Sequence, residues 1–171
     1  MDRFKFGPAS ANEPTVFGAE RPGRRREELA HWVAFMQANG VRRVCCVLPG
    51  ESMQDEPIDL LAAYRAAFGA ANVLHAPVAD FSLCDEETME ERILPFLREA
   101  DATGERAVVH CWAGMGRTGH VLAAWLARER GMAPAEALAA VVAMGRNPYE
   151  AIQYGGATEE ELYRLLRGEN R

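Results

Sequence analysis

Residues 107–119 constrain the fold of this chain more than any other stretch. A short β-branched run, Ala107-Val108-Val109-His110, passes through Cys111-Trp112-Ala113-Gly114-Met115 into a helical pattern that opens near Gly116. Upstream the run is bounded by the polar turn 101–106 and reads as a strand. Downstream, Val121, Leu122, Trp125 and Leu126 recur at helical spacing until Gly131. The loop between the two therefore lies at a helix N-terminus, where unpaired backbone N–H groups and the positive end of the dipole favour an anion.

The residue types fit a phosphate pocket with a nucleophile at its floor. Gly114 and Gly116 permit the backbone angles that turn successive N–H groups of Trp112, Ala113, Gly114, Met115 and Gly116 inward. Arg117 closes the loop with a planar fork that suits two phosphate oxygens. Cys111 then lies beneath the phosphorus, within reach of the same donors. Thr118 is placed to donate its hydroxyl to the sulfur, and His110 to order the backbone behind it.

Gly114-Met115-Gly116-Arg117-Thr118-Gly119 also matches the dinucleotide fingerprint G-x-G-x-x-G. That reading needs a second parallel strand ending in an acid about 20 positions on. Ala133 to Met144 instead forms a helical pattern, with Pro134 at its start and Ala137, Leu138, Val141 and Val142 on one face. A Walker A loop is excluded as well, because Lys5 is the only lysine in the chain.

Elsewhere the chain alternates strands and helices. Thr15 to Ala19 reads as a first strand, Arg24 to Asn39 as a helix burying Leu29, Trp32, Val33 and Met36, and Val41 to Leu48 as a buried strand. Pro57 opens a helix through Leu60, Leu61, Tyr64 and Phe68, and Asn72 to Val78 is extended. A helix from Asp85 or Thr88 to about Ala100 carries an internal Pro95 that is expected to kink it, and the last helix runs from the cap Thr158 to Arg167. The pattern predicts an α/β fold, a central mostly parallel twisted sheet flanked by helices, with residues 1–171 as one domain.

With 49% hydrophobic residues in 171, a substantial core is available. No apolar run reaches the length of a membrane span and the N-terminus lacks a signal-like segment, so a cytoplasmic protein without membrane contact is expected. A net charge of -6 disfavours nucleic acid as a partner. Arg24-Arg25-Arg26 is read as a solvated helix start, and a monomer is favoured. The histidines show no ligand spacing with acids or cysteines, so neither metal nor other cofactor is expected.

A thiolate that displaces phosphate from an alcohol needs an acid for the leaving oxygen. Two aspartates qualify: Asp80, beside Phe81 in a loop after the extended segment, and Asp85, which also suits a helix cap.

His110-Cys111, five residues, then Arg117-Thr118-Gly119 resembles the signature of the cysteine-dependent protein tyrosine phosphatases. Asp80-Phe81, the segment Gly18-Ala19-Glu20-Arg21-Pro22-Gly23, and Arg146-Asn147-Pro148-Tyr149-Glu150-Ala151-Ile152 are similar to the compact dual-specificity, Cdc14-like branch. The resemblance implies the fold of that family, with Cys111 as nucleophile, Arg117 as phosphate clamp, Asp80 as general acid and Gln153 positioning the hydrolytic water. It implies two displacements through a phosphocysteine, a mildly acidic bell-shaped rate profile, and a phosphorylated protein or peptide as substrate. A phosphoinositide or RNA 5'-phosphate substrate, or a phosphate-binding module without catalysis, are the alternatives; the apolar Trp112, Ala113 and Met115 count against the inositol headgroup. Cys45, Cys46 and Cys84 read as small core residues, with a disulfide to an oxidised Cys111 as the competing idea.

Overall fold

The computed structural model describes residues 3–169. In chain order the elements are β1 (Gly7–Pro8), β2 (Val16–Glu20), α1 (Arg26–Ala38), β3 (Val41–Cys46), α2 (Leu60–Phe68), β4 (Val73–His75), α3 (Glu86–Thr88), α4 (Leu94–Thr103), β5 (Arg106–Cys111), α5 (Gly116–Glu129), α6 (Pro134–Ala143), α7 (Glu150–Gln153) and α8 (Glu159–Arg167). The sheet order is β1-β2-β5-β3-β4, with only the β1–β2 pair antiparallel. β5, which carries the cysteine, thus lies between β2 and β3 with hydrogen-bonded neighbours on both sides.

Strand alternation divides the core in two. Val108 shares one cluster with Trp32 and Met36 of α1 and Tyr64 and Phe68 of α2. Ala107, Val109 and Cys111 join the other cluster, with Ile93, Leu97, Val121, Leu122, Trp125 and Leu162. Both faces of β5 are therefore covered, which is why it reads as a near-continuous apolar run. Each large side chain buried in this way contributes about 1.5–3 kcal/mol, and Trp32 and Trp125 are fully buried, as expected of core residues. Cys45 and Cys46 fall in different clusters, on opposite faces of β3.

Several boundaries differ from the sequence expectation for local reasons. The helix expected from Pro57 begins at Leu60, because the Asp59 carboxylate accepts the Ala62 N–H at 2.9 Å and caps it there. Asn72 to Val78 supplies only a three-residue strand. Pro77 has no N–H for the ladder, yet Ala76 and Val78 still donate to the carbonyls of Cys46 and Val47, so the chain stays beside β3. The expected kink at Pro95 is a π-helical turn over Met89–Ile93, with Pro95 in the first turn of α4. The wider turn accommodates the carbonyl that proline would otherwise leave without a donor and collide with. Thr158 and Glu161 form the expected capping box. β1 and α7 are too short to leave a periodic signal and were not anticipated. Among the described residues no helix is long and apolar enough to cross a membrane.

Candidate active site

Cys111 ends β5 and α5 begins five residues later, so the intervening backbone must wrap through a tight arc. The carbonyls on the outside of that arc are tied down one by one. His110 O accepts from Val47 N at 3.0 Å, Trp112 O from Arg21 N at 3.2 Å, and Met115 O from Gly119 N at 2.8 Å. Cys111 O accepts from His110 Nδ1 at 3.1 Å, Ala113 O from Lys5 Nζ at 3.1 Å, and Gly114 O from Arg146 Nη1. In a trans peptide the N–H points opposite to the preceding C=O. Tying these carbonyls to partners outside the arc leaves the N–H groups that follow them on its inner side. Gly114 makes the sharpest bend, at φ +68°, and approaches β2 so closely that a Cβ would stand 2.5 Å from the Ala19 carbonyl.

Cys111 is 2% exposed, and the Thr118 hydroxyl donates to its sulfur at 3.2 Å. His110 is fully buried; its Nε2 lies 3.0 Å from the Tyr64 hydroxyl while Nδ1 faces the Cys111 carbonyl. A carbonyl only accepts, so Nδ1 carries the proton and Nε2 accepts from Tyr64. Burial pushes His110 down to about 4, so the ring is neutral at ordinary pH.

Arg117 is buried and reaches two parts of the acid loop: Nη2 is 3.0 Å from Asp80 Oδ1, and Nη1 donates to Val78 O at 3.4 Å. Its buried Nε–H meets no acceptor among the described residues. Asp80 is half-exposed at the mouth of the arc, whereas Asp85, the other aspartate considered, caps α3 by accepting the Thr88 N–H at 2.7 Å. Burial raises the Asp85 carboxyl, but the Thr88 hydrogen bonds outweigh it and leave the group below its ordinary value, so it is committed as a carboxylate.

Gln153 is exposed, and its side-chain oxygen is taken by Asn147 Nδ2 at 2.8 Å. The Glu150 carboxylate lies against the end of the arc, so close to Gly116 that a Cβ there would meet Oε2 at 1.9 Å. Burial and the neighbouring Asp80 charge hold the Glu150 carboxyl above its ordinary value. Glu150, Arg146 and Tyr64 were not singled out as functional from the sequence alone. Arg146 and Glu150 lie inside the segment 146–152 whose resemblance was noted; Tyr64 had only the look of a core aromatic. Arg146 is nearly wholly buried and also donates to Lys5 O at 3.0 Å and Gly7 O at 3.4 Å; burial pushes it down to about 10.

The rim is aromatic. Trp112 is 47% exposed with the Arg21 guanidinium 4.7 Å from its ring centre, and Arg21 is itself held by a two-pronged ion pair with Glu56. Beside Asp80, Phe81 and Tyr154 pack with ring centres 4.4 Å apart and planes tilted by 32°, both exposed. Cys45, Cys46, Cys84 and Cys111 are all free thiols. Burial pushes Cys46 and Cys84 up to about 12 and raises Cys45 further still, so these three are neutral and unreactive as they stand. The fold therefore brings together a buried sulfur with the Thr118 hydroxyl on it, a guanidinium with an unpaired Nε–H among the described residues, and the half-exposed Asp80 carboxyl.

A family model described as polymorphic toxin system, DSP-PTPase phosphatase matches residues 17–131. Tyrosine-protein phosphatase cdc-14 of Caenorhabditis elegans is 39% identical over 49 residues, a stretch that is 29% of this chain and 7% of that protein. The solved structure of Tk-PTP in its active form superimposes with a TM-score of 0.67 at 25% identity, covering 88% of this chain and 92% of that one. PTPMT1 in complex with PI(5)P gives 0.71 at 15% identity over 95% and 92% of the two chains. TpbA of P. aeruginosa, bound to pTyr, gives 0.57 at 20% identity over 92% and 88%. At those two identities the likeness is one of fold.

Proposed function

Since the chain belongs to the DSP-PTPase phosphatase family, we propose that it is a metal-independent phosphomonoester hydrolase acting through a phosphocysteine, with residues 1–171 as one catalytic domain. The observation that carries the reading is the approach of Asp80 and Thr118 to the two ends of one pocket: Asp80 on Arg117 at its mouth, Thr118 on the Cys111 sulfur at its floor. A binding module needs neither.

Phosphate enters by taking the unpaired Arg117 Nε–H and the Nη2 donor now held by Asp80. That exchange releases Asp80 at the leaving-group side of the phosphorus. The Cys111 thiolate attacks phosphorus in line, an S–P bond forms, the P–O bond to the alcohol breaks, and protonated Asp80 gives its proton to the departing oxygen. Arg117 and the inward amides of Trp112, Ala113, Gly114, Met115 and Gly116 carry the equatorial charge. Water then attacks phosphorus while Asp80 accepts its proton, the S–P bond breaks, and the Thr118 hydroxyl stabilises the departing thiolate. Gln153, whose side-chain oxygen accepts from Asn147, retains its amide N–H donors to orient that water.

The exposed rings of Trp112, Phe81 and Tyr154 around the mouth favour a phosphorylated protein or peptide, above all an aryl phosphate, as substrate. The cytoplasm is the proposed site of action and a monomer the proposed state. Release of phosphate from p-nitrophenyl phosphate, compared between the wild type and Cys111→Ser, tests the reading. Turnover that is lost in the variant supports it; no turnover in either protein assigns the site to binding alone.

A further inference from the structure

One buried side chain joins the two halves of this pocket, and the mechanism above does not use it. His120 lies one turn into α5, fully enclosed, and its Nε2 accepts the backbone N–H of Cys84 at 3.0 Å. His120 is joined to the end of the phosphate arc through the first turn of α5, which begins at Gly116. Accepting that N–H requires a lone pair on Nε2, so the neutral ring carries its proton on Nδ1. Burial selects that form, pushing the group down to about 4.

Cys84 closes the loop that carries Asp80. That loop is under backbone strain: Phe81 adopts φ +54°, a left-handed conformation that a bulky residue rarely takes. Such a conformation persists only where its surroundings fix both sides. On the entering side Val78 N donates to Val47 O, and on the leaving side Cys84 N donates to His120. The carbonyl of Phe81 lies against Gly156, where an added Cβ would meet it at 1.9 Å.

We propose that His120 is a positioning residue that staples the Asp80 loop to the phosphate arc, fixing the distance between the carboxyl and the leaving oxygen. The proposal rests on Asp80 acting as the general acid. It differs from a purely structural role because misplacing an acid penalises poor leaving groups and largely spares good ones.

The test compares phenyl phosphate with 2,4-dinitrophenyl phosphate in four variants, with vanadate binding as the check that the arc is intact. Asp80→Asn sets the reference. His120→Leu should lose about tenfold more kcat on phenyl phosphate than on the dinitrophenyl ester, a fraction of the general-acid effect. His120→Gln, whose side-chain oxygen reaches nearly as far as Nε2, should recover most of that difference, and His120→Asn, one carbon shorter, should not. The Gln–Asn comparison stands even if the leucine variant does not fold. Equal losses on both esters, or glutamine no better than asparagine, overturns the proposal while leaving Asp80 in place. If Asp80→Asn itself shows no leaving-group dependence, the assignment of Asp80 falls and the role of His120 falls with it.

Discussion

The side chain proposed as the acid contacts the arginine proposed as the phosphate clamp. Asp80 Oδ1 sits 3.0 Å from Arg117 Nη2, a donor that bound phosphate needs, so binding must exchange one contact for the other. The Arg117 side chain is 6% exposed but that of Asp80 is 55% exposed, and solvent screening limits what the pair is worth. A value of about 0.5–1 kcal/mol is appropriate to such a half-exposed pair. Asp80→Asn removes that competition and also the repulsion between carboxylate and phosphate. The variant should therefore bind inorganic phosphate or vanadate about 2- to 5-fold more tightly than the wild type, while its kcat on phenyl phosphate falls about 10²- to 10⁴-fold. Titration calorimetry at several ionic strengths measures the first effect, and the advantage should shrink as salt rises because the exposed carboxylate is already screened. Unchanged or weaker phosphate binding in Asp80→Asn would refute the claim that Asp80 and phosphate compete for Arg117.

Thr118→Val removes the hydrogen bond to the Cys111 sulfur, worth about 1 kcal/mol net. Because that bond helps the thiolate leave, kcat should fall about five- to tenfold, with a larger burst of the first product; a uniform slowing without a burst would place the role of Thr118 in the first step. Gly114→Ala puts a side chain at φ +68° and 2.5 Å from the Ala19 backbone, so stability should drop by about 2–4 kcal/mol with vanadate binding largely lost. A variant with wild-type unfolding midpoint and affinity would show that β2 yields at no cost. His110 and His120 are both held neutral at about 4, below the ordinary 6.5. The unfolded chain thus binds more protons between those values, and stability should fall as pH drops from about 6.5 to 4, by on the order of 3 kcal/mol for each ring. Urea midpoints that stay level from pH 7 to pH 4.5 would contradict it.

The pocket is legible in the sequence because its parts are nearly contiguous. Cys111, Arg117 and Thr118 lie on one strand–loop–helix unit, and local geometry alone brings Thr118 onto the sulfur. The alternation of strands and helices likewise predicts the parallel sheet. The acid is less legible: Asp80 and Asp85 are five residues apart, and either can cap a helix. Only the hydrogen bonds of Val78 to Val47, just past β3, and of Asp85 to Thr88 show which one faces Arg117. Gln153 illustrates the opposite outcome: a residue suggested by resemblance is exposed and tied to Asn147, whereas Glu150, three positions earlier, lies against the loop.

The chain's sequence by itself determines the strand–loop–helix unit that carries Cys111 and Arg117 and the layered sheet that presents it, because each follows from backbone rules acting over a dozen residues. The tertiary structure decides what holds the arc open and what sets its acid: Lys5, Arg21 and Arg146 on the outer carbonyls, and His120 across to Cys84. Those contacts join segments up to 108 residues apart. No local pattern encodes them, since a buried arginine or histidine looks like any other until the fold places a carbonyl or an amide within its reach.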